Sequence, residues 1–467
     1  MSPLVFPAGP TQRSTAKITS LRYFSPLQEI KETLLQQRII SLMLLVMFAC
    51  MGLTSRADYV AGEVLVHLKP GVDIAAFNQT FNTTTVVTSA YNNSYRLATA
   101  AGVDVAALAS QMSSDARVLS AGPNLNNHAL DTAVADQVVF KADGDASQTS
   151  QFIFTADQFI FTADQFIFTA DQFIFTADRN PGLYAYMHQS TATLIHYGAT
   201  SKKHDGSGVV VAVLDTGIST RNSLLAPHVV AGWNFIDGNN NTDDVPAGID
   251  SNGNGIPDED AGHGTMVSGL INRYAQNATL LPVKVLDSDG SGSLWATTEG
   301  IRYAISRGAR VINMSFGSPQ NSPLLQEAIQ DAWNAGIIIV TAAGNNNSSA
   351  QQYPAGNNLT LAVGSLDANN VKASFSNYGV IDVVAPGVGL PSTFWAGNYA
   401  SWSGTSFSAP LVSAEAALII SAQPTWPAYC VRQRIKTKTD SVDQLNLPYT
   451  GMLGKGIIDV DMAMTGL

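Results

Sequence analysis

From residue 206 onward, two kinds of apolar pattern alternate along the chain. Residues 209–214 form an unbroken run, Val-Val-Val-Ala-Val-Leu. Such runs belong to strands buried on both faces. Similar runs recur at 278–285, 311–314, 337–342, 361–363 and 381–384. Between several of them the apolar positions fall at helical spacing, over 265–274, 294–307, 324–335 and 408–422. Strands alternating with helices of this length predict βαβ units around a parallel sheet. Residues 200–467 therefore read as one α/β domain. Upstream, residues 62–68 alternate polar and apolar positions and stop at Lys69-Pro70-Gly71, a strand ending in a turn. A short helix starting near Asp73, strand formers around a turn at Asn92-Asn93 over 86–97, a helix over 104–112 and a last strand at 117–120 complete a small α+β unit.

Two segments fit neither pattern. Residues 151–178 are four perfect copies of Gln-Phe-Ile-Phe-Thr-Ala-Asp. A period of seven is odd, so it cannot keep one side chain on one face of a continuous strand. The tract has little charge and no proline, an aggregation-prone composition, and reads as an inserted linker without a role. Residues 39–49 are strongly apolar, with Arg38 before them and the small residues Ser55 and Ala57 after. That is the layout of a secretory signal, although the stretch ahead of the apolar core is long. A buried helix or short anchor is the alternative, and Cys50 offers a lipid-anchored variant. The expected organisation is 1–57 export segment, 58–124 small unit, 125–199 linker and 200–467 α/β domain.

Composition narrows the functions. The 467 residues hold 36 acidic and 25 basic side chains, a formal charge of -11. That disfavours nucleic acid, which selects a clustered basic surface. Two cysteines exclude a disulfide scaffold, and a chain of this length buries enough surface to fold without one.

Three residues stand where elements begin or end. Asp215 closes the first buried run and is followed by Thr216-Gly217. His263 lies in Gly262-His263-Gly264-Thr265, before a helix. Ser406 lies in Gly404-Thr405-Ser406-Phe407-Ser408-Ala409-Pro410, also before a helix. Ligands of open α/β sheets bind beyond the carboxyl ends of the strands. A serine hydroxyl is a weak nucleophile that needs an imidazole base, and the imidazole needs a carboxylate to hold its tautomer. Singly, each residue also reads as a strand end or a helix cap.

These three segments, in this order, resemble the signatures of the subtilisin-like serine proteases, the subtilases, over about residues 200–460. The resemblance implies the subtilisin fold, three layers with a central parallel sheet flanked by helices. It implies a serine endopeptidase with Asp215 as orienter, His263 as general base then acid, and Ser406 as nucleophile. The run Ala342-Ala343-Gly344-Asn345 matches a fourth family block, which makes Asn345 the oxyanion donor and sets Ala342 and Gly344 among the residues lining the substrate. Ser291-Gly292-Ser293-Leu294 and Ser315-Phe316-Gly317 resemble the two backbone edges between which a peptide lies as an added strand. No carboxylate stands at the matched pocket positions. That implies a broad or apolar preference before the scissile bond. Residues 58–124 resemble the family's inhibitory propeptide, an intramolecular partner in an autoprocessed precursor. The remaining partners are protein or peptide substrates, and the enzyme is expected to be a secreted monomer without an organic cofactor.

The acidic loop at 250–260 offers oxygen ligands at Asp250, Asn252, Asn254 and Asp258, with glycine at the sixth position, the beginning of a calcium loop. Its twelfth position is Ala261 rather than glutamate, and a solvated acidic turn stays open. Two rivals to the protease reading also stay open: a serine hydrolase acting on esters, and a surface or aggregating protein with a silent catalytic part.

Overall fold

Side-chain alternation along the first buried strand sets the layers of the computed structural model, which describes residues 59–129, 138–140, 152–154, 159–161 and 181–467. The export-segment expectations, Cys50 included, lie outside the described residues. In the small N-terminal unit, β1 (Tyr59–Leu68), α1 (Ile74–Phe81), β2 (Thr83–Thr88), β3 (Ser94–Thr99), α2 (Val105–Ser113) and β4 (Val118–Ala129) follow in order. Asp73 and Asp104 cap the two helices by accepting from Ala75 and Ala107 N–H, which satisfies groups that a helix start leaves open. The strands pair antiparallel in the order β2-β3-β1-β4. Val64, Val66 and Leu68 of β1 turn toward Phe77, Ala109 and Met112 of the two helices. Leu65, between them, turns the other way and joins a core cluster of the large domain.

The strand β4 passes residue 124 and runs to Ala129. The small unit therefore ends at least five residues later than the sequence pattern places it. Three short strands follow: β5 (Val138–Phe140), β6 (Phe152–Phe154) and β7 (Phe159–Phe161). β6 and β7 come from two successive repeats and pair antiparallel, Ile153 opposite Ile160. In the first two copies the odd period thus holds one short strand per copy rather than one continuous strand.

The large domain begins before residue 200. Helices α3 (Pro181–Met187) and α4 (Thr191–Leu194) precede it in sequence, and Tyr186 and Ile195 are buried. Then come β8 (Val210–Asp215), β9 (Trp233–Asn234), α5 (His263–Tyr274), β10 (Thr279–Lys284), β11 (Ser291–Ser293) and α6 (Leu294–Ser306). After them follow β12 (Val311–Met314), β13 (Phe316–Gly317), α7 (Pro323–Asn334), β14 (Ile338–Ala342), β15 (Thr360–Leu366) and β16 (Val383–Pro386). β17 (Leu390–Thr393), β18 (Tyr399–Trp402), α8 (Thr405–Ala422), α9 (Ala428–Thr437), β19 (Thr439–Asp440), β20 (Ile457–Ile458) and α10 (Val460–Met464) complete it.

The main sheet has the order β19-β20-β16-β15-β14-β12-β8-β10-β9 and is parallel except at β19. Val211 and Val213 of β8 pack with α5 and α8. Ala212 and Leu214 pack with α6 and α7 on the opposite face. Both faces are covered, so the run has no polar alternation. α8 is apolar all round because it is a core helix: its 18 residues are long and apolar enough to cross a membrane, yet 89% of them are buried. β8 lies between β10 and β12, so the chain leaves it in both directions. That topological switch is where α/β sheets open a crevice, and Asp215 stands at its carboxyl end.

Candidate active site

The structure brings Asp215, His263 and Ser406 together from β8, α5 and α8. All three are fully buried. His263 Nδ1 lies 2.6 Å from Asp215 Oδ1. A carboxylate only accepts, so Nδ1 carries the proton. In the neutral ring, Nε2 is then the basic nitrogen. Asp215 Oδ1 also accepts from Thr216 N–H at 2.8 Å, which fixes the carboxylate plane. Close approach needs glycine: a β-carbon on Gly264 would sit 2.2 Å from the Gly217 carbonyl and 3.0 Å from Asp215 Cβ.

Ser406 is held at the start of α8 by reciprocal contacts with β12 and its extension. Its Oγ donates to the Ser315 carbonyl at 3.0 Å, and Ser315 Oγ donates to the Ser406 carbonyl at 2.8 Å. Asn313 donates to Ser315 Oγ at 2.9 Å and accepts from Ser413 at 2.8 Å. Asn345 has its amide orientation decided by chemistry. Two donors, Thr405 N–H and Thr405 Oγ, each lie 2.9 Å from Oδ1. The oxygen must face them, so the NH₂ faces away from Thr405. Of the other predicted lining residues, Ala342 is fully buried at the end of β14. Gly344 adopts φ 108° and donates to Thr405 Oγ at 3.1 Å.

The two predicted peptide edges, β11 and β13, have a strand between them. It is β4. Ser293, Gly292 and Ser291 pair antiparallel with Asn126, Asn127 and His128, and Gly317 and Phe316 pair with His128 and Ala129. Ala129 N–H donates to the Gly290 carbonyl at 2.8 Å. Side chains add to this backbone grip. Asn124 accepts from Trp295 N–H in the first turn of α6 at 2.9 Å, Asn127 donates to Thr297 Oγ at 2.9 Å, and Ser89 donates to buried Glu299.

Three residues that the sequence pattern did not single out matter here. Asp244 is fully buried and accepts from Gly262 N–H, Thr265 N–H and Thr265 Oγ at 2.9, 2.9 and 2.7 Å. It therefore caps the helix that carries His263, whose own cap residue, Gly262, has no side chain. Burial pushes its carboxyl up, and the Lys284 charge opposes that. Lys284 itself donates to the Thr216 carbonyl. The third, Glu415, lies on α8 nine residues past Ser406. It is fully buried, and neither oxygen has a hydrogen-bond partner. A lone acid inside an apolar helical run was the only sequence signal for it.

Burial raises the Glu415 carboxyl well above its usual range, and the Asp459 charge raises it further. A carboxyl with a raised folded-state pKa supports stability below the ordinary carboxyl range and loses that support as pH rises through the raised value. The thermal midpoint of wild type should thus fall more steeply than that of Glu415→Gln as pH rises from the ordinary carboxyl range. Thermal unfolding followed by circular dichroism, with an active-site inhibitor present to stop autolysis, measures both slopes. Parallel curves would exclude Glu415 as the group responsible.

The acidic loop divides. Asp250 accepts from the N–H groups of Asn254 and Gly255, and Asn252 accepts from Asn254 N–H. Asn254 in turn accepts from Ile256 N–H, while the Asn252 and Asn254 amides both donate to Glu259. Asp258 is taken up elsewhere. Its oxygens accept from the N–H groups of Ala247, Gly248 and Ile249 and from Ser288 Oγ. Those bonds hold its carboxyl below the usual range against the opposing effect of burial.

Residues 206–453 match the family model described as the Subtilase family. Residues 51–131 match one described as an open reading frame 2 N-terminal domain. Subtilisin Savinase of Lederbergia lenta is 38% identical over 268 residues, 55% of this chain and 91% of that protein. Thermitase of Thermoactinomyces vulgaris is 39% identical over 249 residues, covering 51% and 83%. An alkaline protease of Alkalihalobacillus alcalophilus is 38% identical over 268 residues, and the match spans 64% of its length. The chain belongs to the subtilase family of serine endopeptidases. Its particular place there is set by an N-terminal unit whose last strand lies in the cleft.

Proposed function

We propose that this chain is an exported serine endopeptidase, made as a precursor that cuts itself first. Ser406 attacks a peptide carbonyl while His263 takes its proton at Nε2, and Asp215 stabilises the imidazolium through Nδ1–H. The tetrahedral oxyanion is met by the Asn345 amide and the Ser406 N–H. The proton then passes from His263 to the leaving amine, and water repeats the cycle on the acyl-enzyme. The observation that carries this reading is the register of β4. Gly317 faces His128 and Phe316 faces Ala129, so the described strand runs toward Ser315, the residue before Phe316. Ser315 offers the carbonyl on which Ser406 Oγ rests. The first bond cut is therefore Leu130–Asp131, and the leucine fits an apolar preference at the cleaved position. Mass spectrometry of the processed protein should find one product ending at Leu130. A first cut elsewhere, with Leu130–Asp131 intact, rejects the register.

Calcium is the structural ion we propose for the acidic loop, with Asp250, Asn252 and Asn254 as its ligands and Asp258 as a backbone clamp. A ligand that binds only the folded state stabilises it by mass action. Calcium should raise the thermal midpoint of the wild type but not of Asp250→Ala. Asp258→Ala should lower the midpoint with and without calcium. An unchanged calcium response in Asp250→Ala would leave the loop an acidic turn.

A further inference from the structure

The backbone on both sides of Asn345 is held by one residue far along the chain. Asn377 lies in the loop between β15 and β16 and is only 2% exposed. Its Oδ1 accepts from Asn346 N–H at 3.1 Å and from Ser348 N–H at 3.0 Å. Its Nδ2 donates to the Ala343 carbonyl at 3.0 Å. Its backbone N–H donates to the Gly344 carbonyl at 2.9 Å. N–H groups face one end of the amide and a carbonyl faces the other, so chemistry decides which end is oxygen. The bonds bracket Asn345, reaching the residues before it and the residues after it. Close approach again needs glycine, because a β-carbon on Gly344 would lie 2.3 Å from Asn377 Nδ2.

The surrounding loop contact supports this grip. Asn347 N–H donates to the Phe375 carbonyl at 2.6 Å, and Tyr378 N–H donates to the Ser348 carbonyl at 3.1 Å. Lys372 Nζ donates to Asn347 Oδ1 and to the Ser376 carbonyl, both at 2.9 Å. Thr405 orients the Asn345 side chain through its oxygen, while Asn377 fixes the chain that carries it.

We infer that Asn377 is a positioning residue for catalysis: it fixes the backbone from which Asn345 reaches the oxyanion, and so acts on the rate through Asn345. The inference rests on the assignment of Asn345 as oxyanion donor made above and deepens it. A preorganised donor stabilises a developing oxyanion without having to reorganise as the charge appears. Without the Asn377 amide, the Ala343 carbonyl and the Asn346 and Ser348 N–H groups lose their common partner, and the donor between them loses its fixed place.

A double-mutant cycle tests this, with kcat measured per titrated active site of the processed enzyme so that only competent molecules count. Loss of the oxyanion asparagine in subtilisin, a relative, costs about 10²–10³ in kcat, and Asn345→Ala should fall on that scale. Asn377→Ala displaces the donor rather than removing it, and should cost about tenfold. In the Asn345→Ala background the same change should cost less than about twofold, because no donor is left to position. Asn377→Asp keeps an acceptor for the Asn346 and Ser348 N–H groups but sets an oxygen against the Ala343 carbonyl, so it should also lower kcat. Its nearly equal shape lets it replace the alanine variant in the cycle if that variant does not mature. A merely structural clamp would lower the thermal midpoint and leave kcat per site alone. That result, or an equal loss of kcat with and without Asn345, overturns the inference. An unchanged kcat in Asn345→Ala would instead overturn the oxyanion assignment itself.

Discussion

Ser406→Ala should accumulate as an uncut chain in which the N-terminal unit stays attached. The variant removes the hydroxyl proposed to attack the Leu130 carbonyl. It also removes the hydroxyl proton donated to the Ser315 carbonyl, but leaves the β11 and β13 pairings, which are backbone bonds. The complex should therefore fold and hold together. Loss of the equivalent serine in subtilisin, a relative, costs about 10⁶ in kcat, and the same scale is expected here. Electrophoresis and intact mass of the variant expressed alone decide the matter. Normal processing of Ser406→Ala would mean that another protease does the cutting. The same experiment separates this reading from that of an aggregating protein with a silent catalytic part, because such a protein would look the same with and without the hydroxyl.

Asp215→Asn should reduce kcat by about 10⁴, the scale seen when the orienting aspartate of a serine protease becomes asparagine. The amide removes the negative charge that faces the imidazolium. If its NH₂ turns to Nδ1, it also forces the wrong tautomer on His263. KM should change little, because Asp215 lies behind His263 and touches no substrate. With the amide oxygen kept at the Oδ1 position, the Thr216 N–H bond at 2.8 Å and the Nδ1–H bond can both be made and stability should be nearly kept; an NH₂ turned there loses both. Active-site titration followed by steady-state kinetics gives kcat per competent site. A loss below tenfold would remove Asp215 from the orienting role.

Legibility of the fold followed from burial. β8 reads as a continuous apolar run because helices cover both faces, and in the large domain the bounds of the predicted strands and helices shift by only a few residues. The first turn of α8 was the exception, with Thr405, Ser406 and Phe407 already helical. The start of a helix that also carries a nucleophile has no apolar rhythm to mark it. Asp215, His263, Ser406 and Asn345 stood out because glycines and small residues surround them, and close backbone approach leaves a local trace. Asp258 looked like a metal ligand by spacing, but three backbone N–H groups claim it, a competition that no spacing reports.

The chain's own order of residues determined its alternating strands and helices, its four chemically marked residues and the two edges that accept a peptide, since each rests on contacts within a few positions. Tertiary structure alone decided that β4 continues to Ala129 and occupies those edges. It also decided that Leu65 faces the large domain and that Asp244 caps the helix of His263 from 18 residues away. These depend on pairs far apart in sequence whose approach is fixed by how the sheet and helices stack. A hydrogen bond between distant segments imposes no periodicity on either one.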